Sequence, residues 1–309
     1  MQLSAAAAAA GLAQPAPPPV LDTHVHLFDT TRPQGVPWPP ASNTKLYQPA
    51  LPARLRRIAA PLGVVGAIEV ECSPWLEDNQ WVLDVAADDP YIVGMIGNLE
   101  PADPGFPKHL ARFRRNPLFL GIRYGNLWGR DLGAQLAKPD FVAGIRMLAE
   151  ANLTLDSANP NPALLAALLR LTDRVPELRL VIDHLPQMPL PAGAAPRREV
   201  EAAIREFGKR PRVYLKVSEV LRRVEGAIPE DIEFYRARLD EFWEIFGEDR
   251  VVYGSDWPNS DNWLPYEAGL RLLRAYVADK PAAVAEKLFW KNSLAAYRWN
   301  KRDPAQPGE

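Results

Sequence analysis

Histidine is scarce in this chain, with four in 309 residues, so chemistry that needs imidazole has few places to sit. Cysteine is scarcer. The lone Cys72 excludes an intrachain disulfide and an all-thiolate zinc site. Charge of either sign is not in surplus: 36 Lys and Arg stand against 38 Asp and Glu, a formal net charge of -2. Nothing is left over to neutralise a phosphate backbone, which argues against a nucleic-acid partner. No segment offers 18 uninterrupted apolar residues, so no membrane span is expected. A Gly-rich turn of the dinucleotide or P-loop type is also missing, which removes the main argument for a nucleotide-binding open sheet.

What is present is a well-mixed chain, 47% hydrophobic and 24% charged, as expected of a soluble folded domain. Residues 1–19 stand apart as an alanine run followed by prolines. Such a stretch buries too little apolar surface to offset its ordering entropy. It is expected to be a disordered tail or the remnant of an export signal, although no Lys or Arg precedes Arg32. The compartment follows from that choice: cytoplasmic, or periplasmic if the segment is a signal remnant.

From residue 20 to 309 short β-rich runs alternate with longer stretches of helical spacing. The runs predict strands at 20–26, 65–72, 92–98, 119–123, 153–156, 178–184, 213–218 and 251–256. Helices are expected between them, at 53–62, 79–88, 108–116, 141–151, 161–174, 197–209 and 229–246, and a final pair at 265–278 and 282–299. Strand then helix, eight times over, predicts an α/β fold that closes as a single (β/α)8 TIM barrel.

A barrel carries its chemistry at the C-terminal strand ends, and the polar residues gather there. His24 and His26 close the first strand, and their i, i+2 spacing puts both rings on one face. Glu69 and Glu71 are expected to do the same on the second. Arg123 ends the fourth strand, Asp156 the fifth, Asp183 and His184 the sixth, Lys216 and Ser218 the seventh, and Asp256 the eighth. Two neutral imidazoles on one strand make a chelating pair for an ion such as zinc; the alternative is a pair of buried histidines bonded to loops. His184 adds a third imidazole, and Asp256 a carboxylate that binds the ion or takes a proton from its water. His109, in a helical segment beside Arg112, reads as a surface residue.

The segments LDTHVHLFD (21–29), VIDHL (181–185), LKVS (215–218) and YGSDWP (253–258), in this order, resemble the amidohydrolase-related branch of the amidohydrolase superfamily. Within that branch they are most similar to the lactonase group, which takes in fuconolactonases and pyrone-dicarboxylate lactonases. The resemblance spans residues 20 to 299. It implies a (β/α)8 barrel that hydrolyses a cyclic ester, a sugar lactone or a pyrone-like one, with Asp256 as general base. Two departures from the superfamily pattern matter. Arg123 stands where members with a bridged metal pair carry a lysine, which leaves one divalent ion, zinc or manganese, or none. Asp156 stands where mononuclear relatives place a histidine, so the ion would rest on His24, His26 and Asp256, joined by Glu71 or His184.

Arg123, with Asn126 and Trp128 just beyond it, suits a substrate carboxylate or a developing alkoxide, because its planar fork binds such oxygens in pairs; an internal ion pair with Asp156 or Glu71 is the other reading. Asp156 and Lys216 are expected to touch substrate as well. Of the nine tryptophans, Trp38, Trp128 and Trp257 fall near the expected mouth, and Trp257 is the expected pocket wall. Trp75, Trp81 and Trp263 read as cover for core or loops. Cys72, next to Glu71, is expected to face away from the site as a packed thiol. The expected partner is a small molecule, with a homo-oligomer as the one macromolecular contact considered. Two rival activities use the same scaffold: a metal-dependent decarboxylase or hydratase of a small carboxylic acid, and a carbohydrate-binding barrel without turnover.

Overall fold

A computed structural model describes residues 17–308 of the chain. Most of the expected N-terminal tail, residues 1–16, lies outside the described residues. The strands are β1 (Val20–Val25), β2 (Val64–Val70), β3 (Ile92–Gly97), β4 (Phe119–Arg123), β5 (Thr154–Ser157), β6 (Arg179–Ile182), β7 (Val213–Val217) and β8 (Val251–Tyr253). Around them run α1 (Pro52–Ala59), α2 (Asp78–Asp88), α3 (Phe106–Phe113), α4 (Leu132–Gln135), α5 (Pro139–Glu150), α6 (Pro162–Arg174), α7 (Ala194–Gly208), α8 (Ile232–Phe246), α9 (Tyr266–Val277), α10 (Ala282–Glu286) and α11 (Asn292–Tyr297). The helix starts carry their usual signals: Asn161 caps α6 through its side chain, with Pro162 in the first turn.

The eight strands form one sheet in chain order, every neighbouring pair parallel. β1 meets β8 through a parallel bridge between Val25 and Trp257, beyond the end of β8, and this makes the sheet a (β/α)8 barrel. Strand alternation divides its side chains between two layers. Ile92, Phe119, Ile122, Leu155, Ile182 and Leu215 pack outward against helical residues such as Leu55, Leu83, Leu110, Phe141, Leu165 and Ile204. Leu21, Ile68, Val70, Leu120, Val181 and Val252 form the inner cluster, together with Ala296, Tyr297 and Trp299. The last helix and its exit therefore plug the barrel.

Several strands stop earlier than their sequence suggests, β2 at Val70 among them. β6 ends at Ile182 and β8 at Tyr253, because His184 (φ 56°) and Asp256 (φ 65°) adopt left-handed backbone, which strands do not accommodate. The expected helix 282–299 is likewise divided, with a π-helical turn at Lys287–Lys291 between α10 and α11.

Candidate active site

His24 and His26 share one face at the end of β1, as their spacing requires. Their rings meet edge to face, 5.0 Å apart, and the His184 ring lies 4.6 Å from His24. Gly254 allows this approach: a Cβ there would lie 2.7 Å from the His24 Cβ. One step on, the Asp256 amide donates to the His24 carbonyl at 2.8 Å. The Asp256 Oδ1 consequently lies 3.3 Å from His24 Nε2, 3.0 Å from His26 Nε2 and 3.9 Å from His184 Nε2. Its Oδ2 accepts from Asn259 Nδ2 at 2.7 Å.

The outer ring nitrogens face away from this point. His26 Nδ1 lies 2.6 Å from the Val70 carbonyl and His184 Nδ1 2.8 Å from Ser218 Oγ. A carbonyl only accepts, so His26 carries its proton on Nδ1 and turns a bare lone pair toward Asp256. A lone pair 3.0 Å from a carboxylate oxygen needs a proton or a cation between them. Burial holds all three imidazoles neutral: it pushes His24 and His184 well below their ordinary range, with help from Lys216 and Arg123 respectively, and His26 down to about 3. Burial also raises Asp256 to about 6, against the hydrogen bond from Asn259.

His24, His184 and Asp256 each offer a donor atom within 4.8 Å of the others. Nitrogen and oxygen ligands about 2.1 Å from a tetrahedral ion stand roughly 3.4 Å apart, close to the spacings around Asp256 Oδ1. Bonded outer nitrogens behind metal-facing ones are the usual support of such a site. The donor set thus fits a single divalent ion.

Arg123 reaches the same space from β4. Its Nε donates to Glu71 Oε1 at 3.1 Å, its Nη2 to the Glu71 carbonyl, and its Nη1 lies 3.4 Å from His24 Nε2. Glu71 also accepts from Trp128 Nε1 at 3.0 Å and from the Ser73 amide at 3.2 Å. Glu71, expected among the metal ligands, is therefore committed to Arg123 and Trp128. Burial acts to lower the Arg123 pKa, but Glu71, Asp183 and Asp256 outweigh it and the guanidinium stays charged.

His26, His184, Arg123, Trp128 and Asp256 line an open cavity of about 230 Å³, room for a small molecule, whose wall also includes Trp38, Asn159, Glu219 and Asn259. Several expected residues lie elsewhere. Asp156 and Lys216 are fully buried below the cavity, where Lys216 Nζ sits 2.6 Å from Asp156 Oδ2; the distance suits an ion pair, and neither lines the wall. Trp257 is also sealed in, with Arg54 over its ring at 5.2 Å, and Trp38 stands at the wall instead. Asn126 turns to the Asn159 carbonyl at 3.1 Å. Glu69 and Glu71 do share a face, but Ile68 and Val70 fill the inner cluster, so alternation turns that face outward to a separate pocket with Trp81 and Met95; of the two, Glu71 meets Arg123. Cys72, expected to face away, lines the cavity, since β2 and its alternation have ended at Val70. His109 is half-buried on α3.

Glu219 and Asn259 are site residues that strand-end reasoning missed. Glu219 directly follows the LKVS segment and Asn259 the SDWP segment, and that adjacency was the available signal. Glu219 has left-handed backbone (φ 48°) and accepts from Asn259 at 3.0 Å. Burial, then the charge of Asp256, pushes its carboxyl well above the carboxylate range.

Residues 21–299 match the family model described as amidohydrolase. An L-fucono-1,5-lactonase from Burkholderia ambifaria is 30% identical over 249 residues, which cover 78% of this chain and 80% of the relative. Among solved structures, an amidohydrolase from Burkholderia multivorans with bound zinc superposes with a TM-score of 0.79 at 22% identity, covering 91% of this chain and 100% of the other. A dihydroxybenzoic acid decarboxylase from Polaromonas, with bound manganese and an inhibitor, superposes at 0.63 and 15% identity, covering 91% and 97%.

Proposed function

Since the chain belongs to the amidohydrolase family, we propose that it is a lactonase that opens a sugar-type lactone by attack of water. The observation that carries this reading is the convergence of three neutral imidazoles and one buried carboxyl at a cavity bordered by a guanidinium. The 30% identity to a fuconolactonase across most of both chains supports the substrate class. His24, His26, His184 and Asp256 would hold one zinc or manganese ion. Such an ion lowers the pKa of water from 15.7 toward about 7 and polarises a carbonyl oxygen.

Asp256 is the general base. Burial poises it near 6, where it is largely ionised at neutral pH and still able to take and return a proton. Oδ1 faces the imidazoles and the ion, while Asn259 orients Oδ2, whose second lone pair accepts the proton of the attacking water. Arg123, held by Glu71, presents its charge to the carbonyl oxygen as that oxygen becomes an alkoxide. When the ring C–O bond breaks, Asp256 returns the proton to the leaving ring oxygen and the product is the open hydroxy acid. Trp38 and Trp128 supply flat faces for the ring.

The test is a panel of sugar lactones followed by acid release, beside aromatic carboxylic acids followed by release of carbon dioxide. Turnover of a lactone is expected. Asp256→Asn should lower kcat by about 10² to 10⁴ with little change in KM. Decarboxylation without lactone opening would overturn the reading.

A further inference from the structure

Beneath the imidazoles lies a layer of charge that the proposed chemistry does not use. Asp156, Asp183 and Lys216 are fully buried. Lys216 Nζ is 2.6 Å from Asp156 Oδ2 and 3.0 Å from Asp183 Oδ1. Tyr297, from the plug helix, donates to Asp156 Oδ2 at 2.9 Å. Taking these groups out of water is costly, and a buried ion pair seldom stabilises a fold more than apolar side chains of the same volume. The cluster therefore calls for another reason to be there.

The reason lies directly above it. His24 Nδ1 and Asp183 Oδ2 are both buried without a hydrogen-bond partner, and they face each other at 3.8 Å. His26 and His184 set their outer nitrogens against neutral groups, a carbonyl and a hydroxyl. Glu219 Oε2 also stands 3.7 Å from His184 Nδ1, but that nitrogen already has Ser218. His24 Nδ1 has no such bond and faces Asp183 directly, and a carboxylate at that depth needs a counter-charge. Lys216 provides it, with Asp156 taking up the ammonium on its other side.

We propose that Asp183 and Lys216 are positioning residues: Lys216, clamped by Asp156, holds Asp183 behind His24, so that His24 keeps its proton on Nδ1 and turns Nε2 inward as a lone pair. The inference rests on the reading of His24 as a ligand in the site above, but its first consequence, the tautomer, exists without any ion.

Asp183→Asn is the sharpest probe. The ammonium demands an acceptor, so the new amide must point its oxygen at Lys216 and its NH₂ at His24. An NH₂ cannot accept, so His24 Nδ1 must, and the ring proton moves to Nε2. The same exchange of carboxylate for amide behind a catalytic histidine leaves geometry intact and inverts the tautomer elsewhere. Lys216→Met removes the clamp, and Tyr297→Phe removes a bond of the same cluster that does not face His24.

The experiment uses the full chain labelled with ring-¹⁵N histidine. Long-range proton–nitrogen correlation spectra report each tautomer, and competition with a chromophoric chelator reports zinc affinity. The parent should show His24 protonated on Nδ1, and Asp183→Asn on Nε2. Zinc affinity should fall about 10- to 100-fold in Asp183→Asn and Lys216→Met, and less than about threefold in Tyr297→Phe. If Lys216→Met does not fold, Asp183→Asn, nearly identical in shape, carries the same readouts. His24 protonated on Nε2 in the parent, or a tautomer unmoved by Asp183→Asn, overturns the proposal. The predicted tautomers without zinc binding would uphold the positioning role and overturn the metal reading instead.

Discussion

Glu69 stands on the outer face of β2 with both carboxylate oxygens buried and without a hydrogen-bond partner. Burial, and then the charge of Glu71, pushes its carboxyl well above the usual range, so the folded protein keeps this group protonated where an unfolded chain, with a pKa of about 4.3, releases the proton. Folding then takes up a proton above that pH, and stability falls as pH rises toward the folded value. Glu69→Gln lacks this titration. Urea midpoints at pH 4, 6 and 8 should show the variant gaining on the parent as pH rises; parallel curves would refute the assignment. Other residues show how far a sequence reaches at this scale. Parity along β1 was enough to bring His24 and His26 together, whereas Asp156 and Lys216 were expected at the mouth and lie below it. Arg123 and Asp156 are register partners on β4 and β5, hence at one level. The long arginine climbs from that level to Glu71, and the short aspartate stays. Sequence position specifies level, and side-chain reach decides which residue meets the cavity.

The strand ends show the same division. Hydrophobic alternation marks where β6 and β8 begin, but their ends depend on left-handed residues, His184 and Asp256, that a β-rich run does not announce. Beyond the ends of β7 and β8 the chain still contributes Glu219 and Asn259 to the cavity wall, and no periodicity reports on such loop positions. The junction of β1 with β8 is narrow: one bridge, Val25 with Trp257, and the bonds around it. Gly254 keeps the two segments close, since any Cβ there would press on His24 and approach Lys216 Cδ to 3.2 Å. Gly254→Ala should therefore shift His24 while leaving the rest of the barrel in place. A displacement of that order costs about 10²-fold in turnover. Steady-state kinetics beside a far-ultraviolet circular dichroism spectrum of parental shape would check both halves of that expectation.

Across the whole molecule the barrel interior is layered along its axis: an apolar plug from the C-terminal segment, the ions of Asp156, Lys216 and Asp183, the imidazoles, and the open cavity. Eight alternations of strand and helix made the barrel legible in the sequence. The plug was not, because 282–299 reads as one more amphipathic helix and nothing local tells which neighbour it will cover. The layering also links the site to global stability. An ion bound only by the folded chain at a hundred times its dissociation constant adds about 2.7 kcal/mol, which raises Tm by about 5 °C in a protein of this size. Thermal scans with and without zinc should show that shift in the parent and none in His24→Ala. The plug has a further consequence, in time. Thr154 bonds to the Ala296 carbonyl, Asp156 to Tyr297, and Arg302 and Gln306 to carbonyls at the edges of β2 and β3. All four anchors are translated after the eight strands they secure. While the ribosome still holds them, Asp156 lacks its tyrosine and the barrel floor is open. Emergence of that segment is the event that seals it.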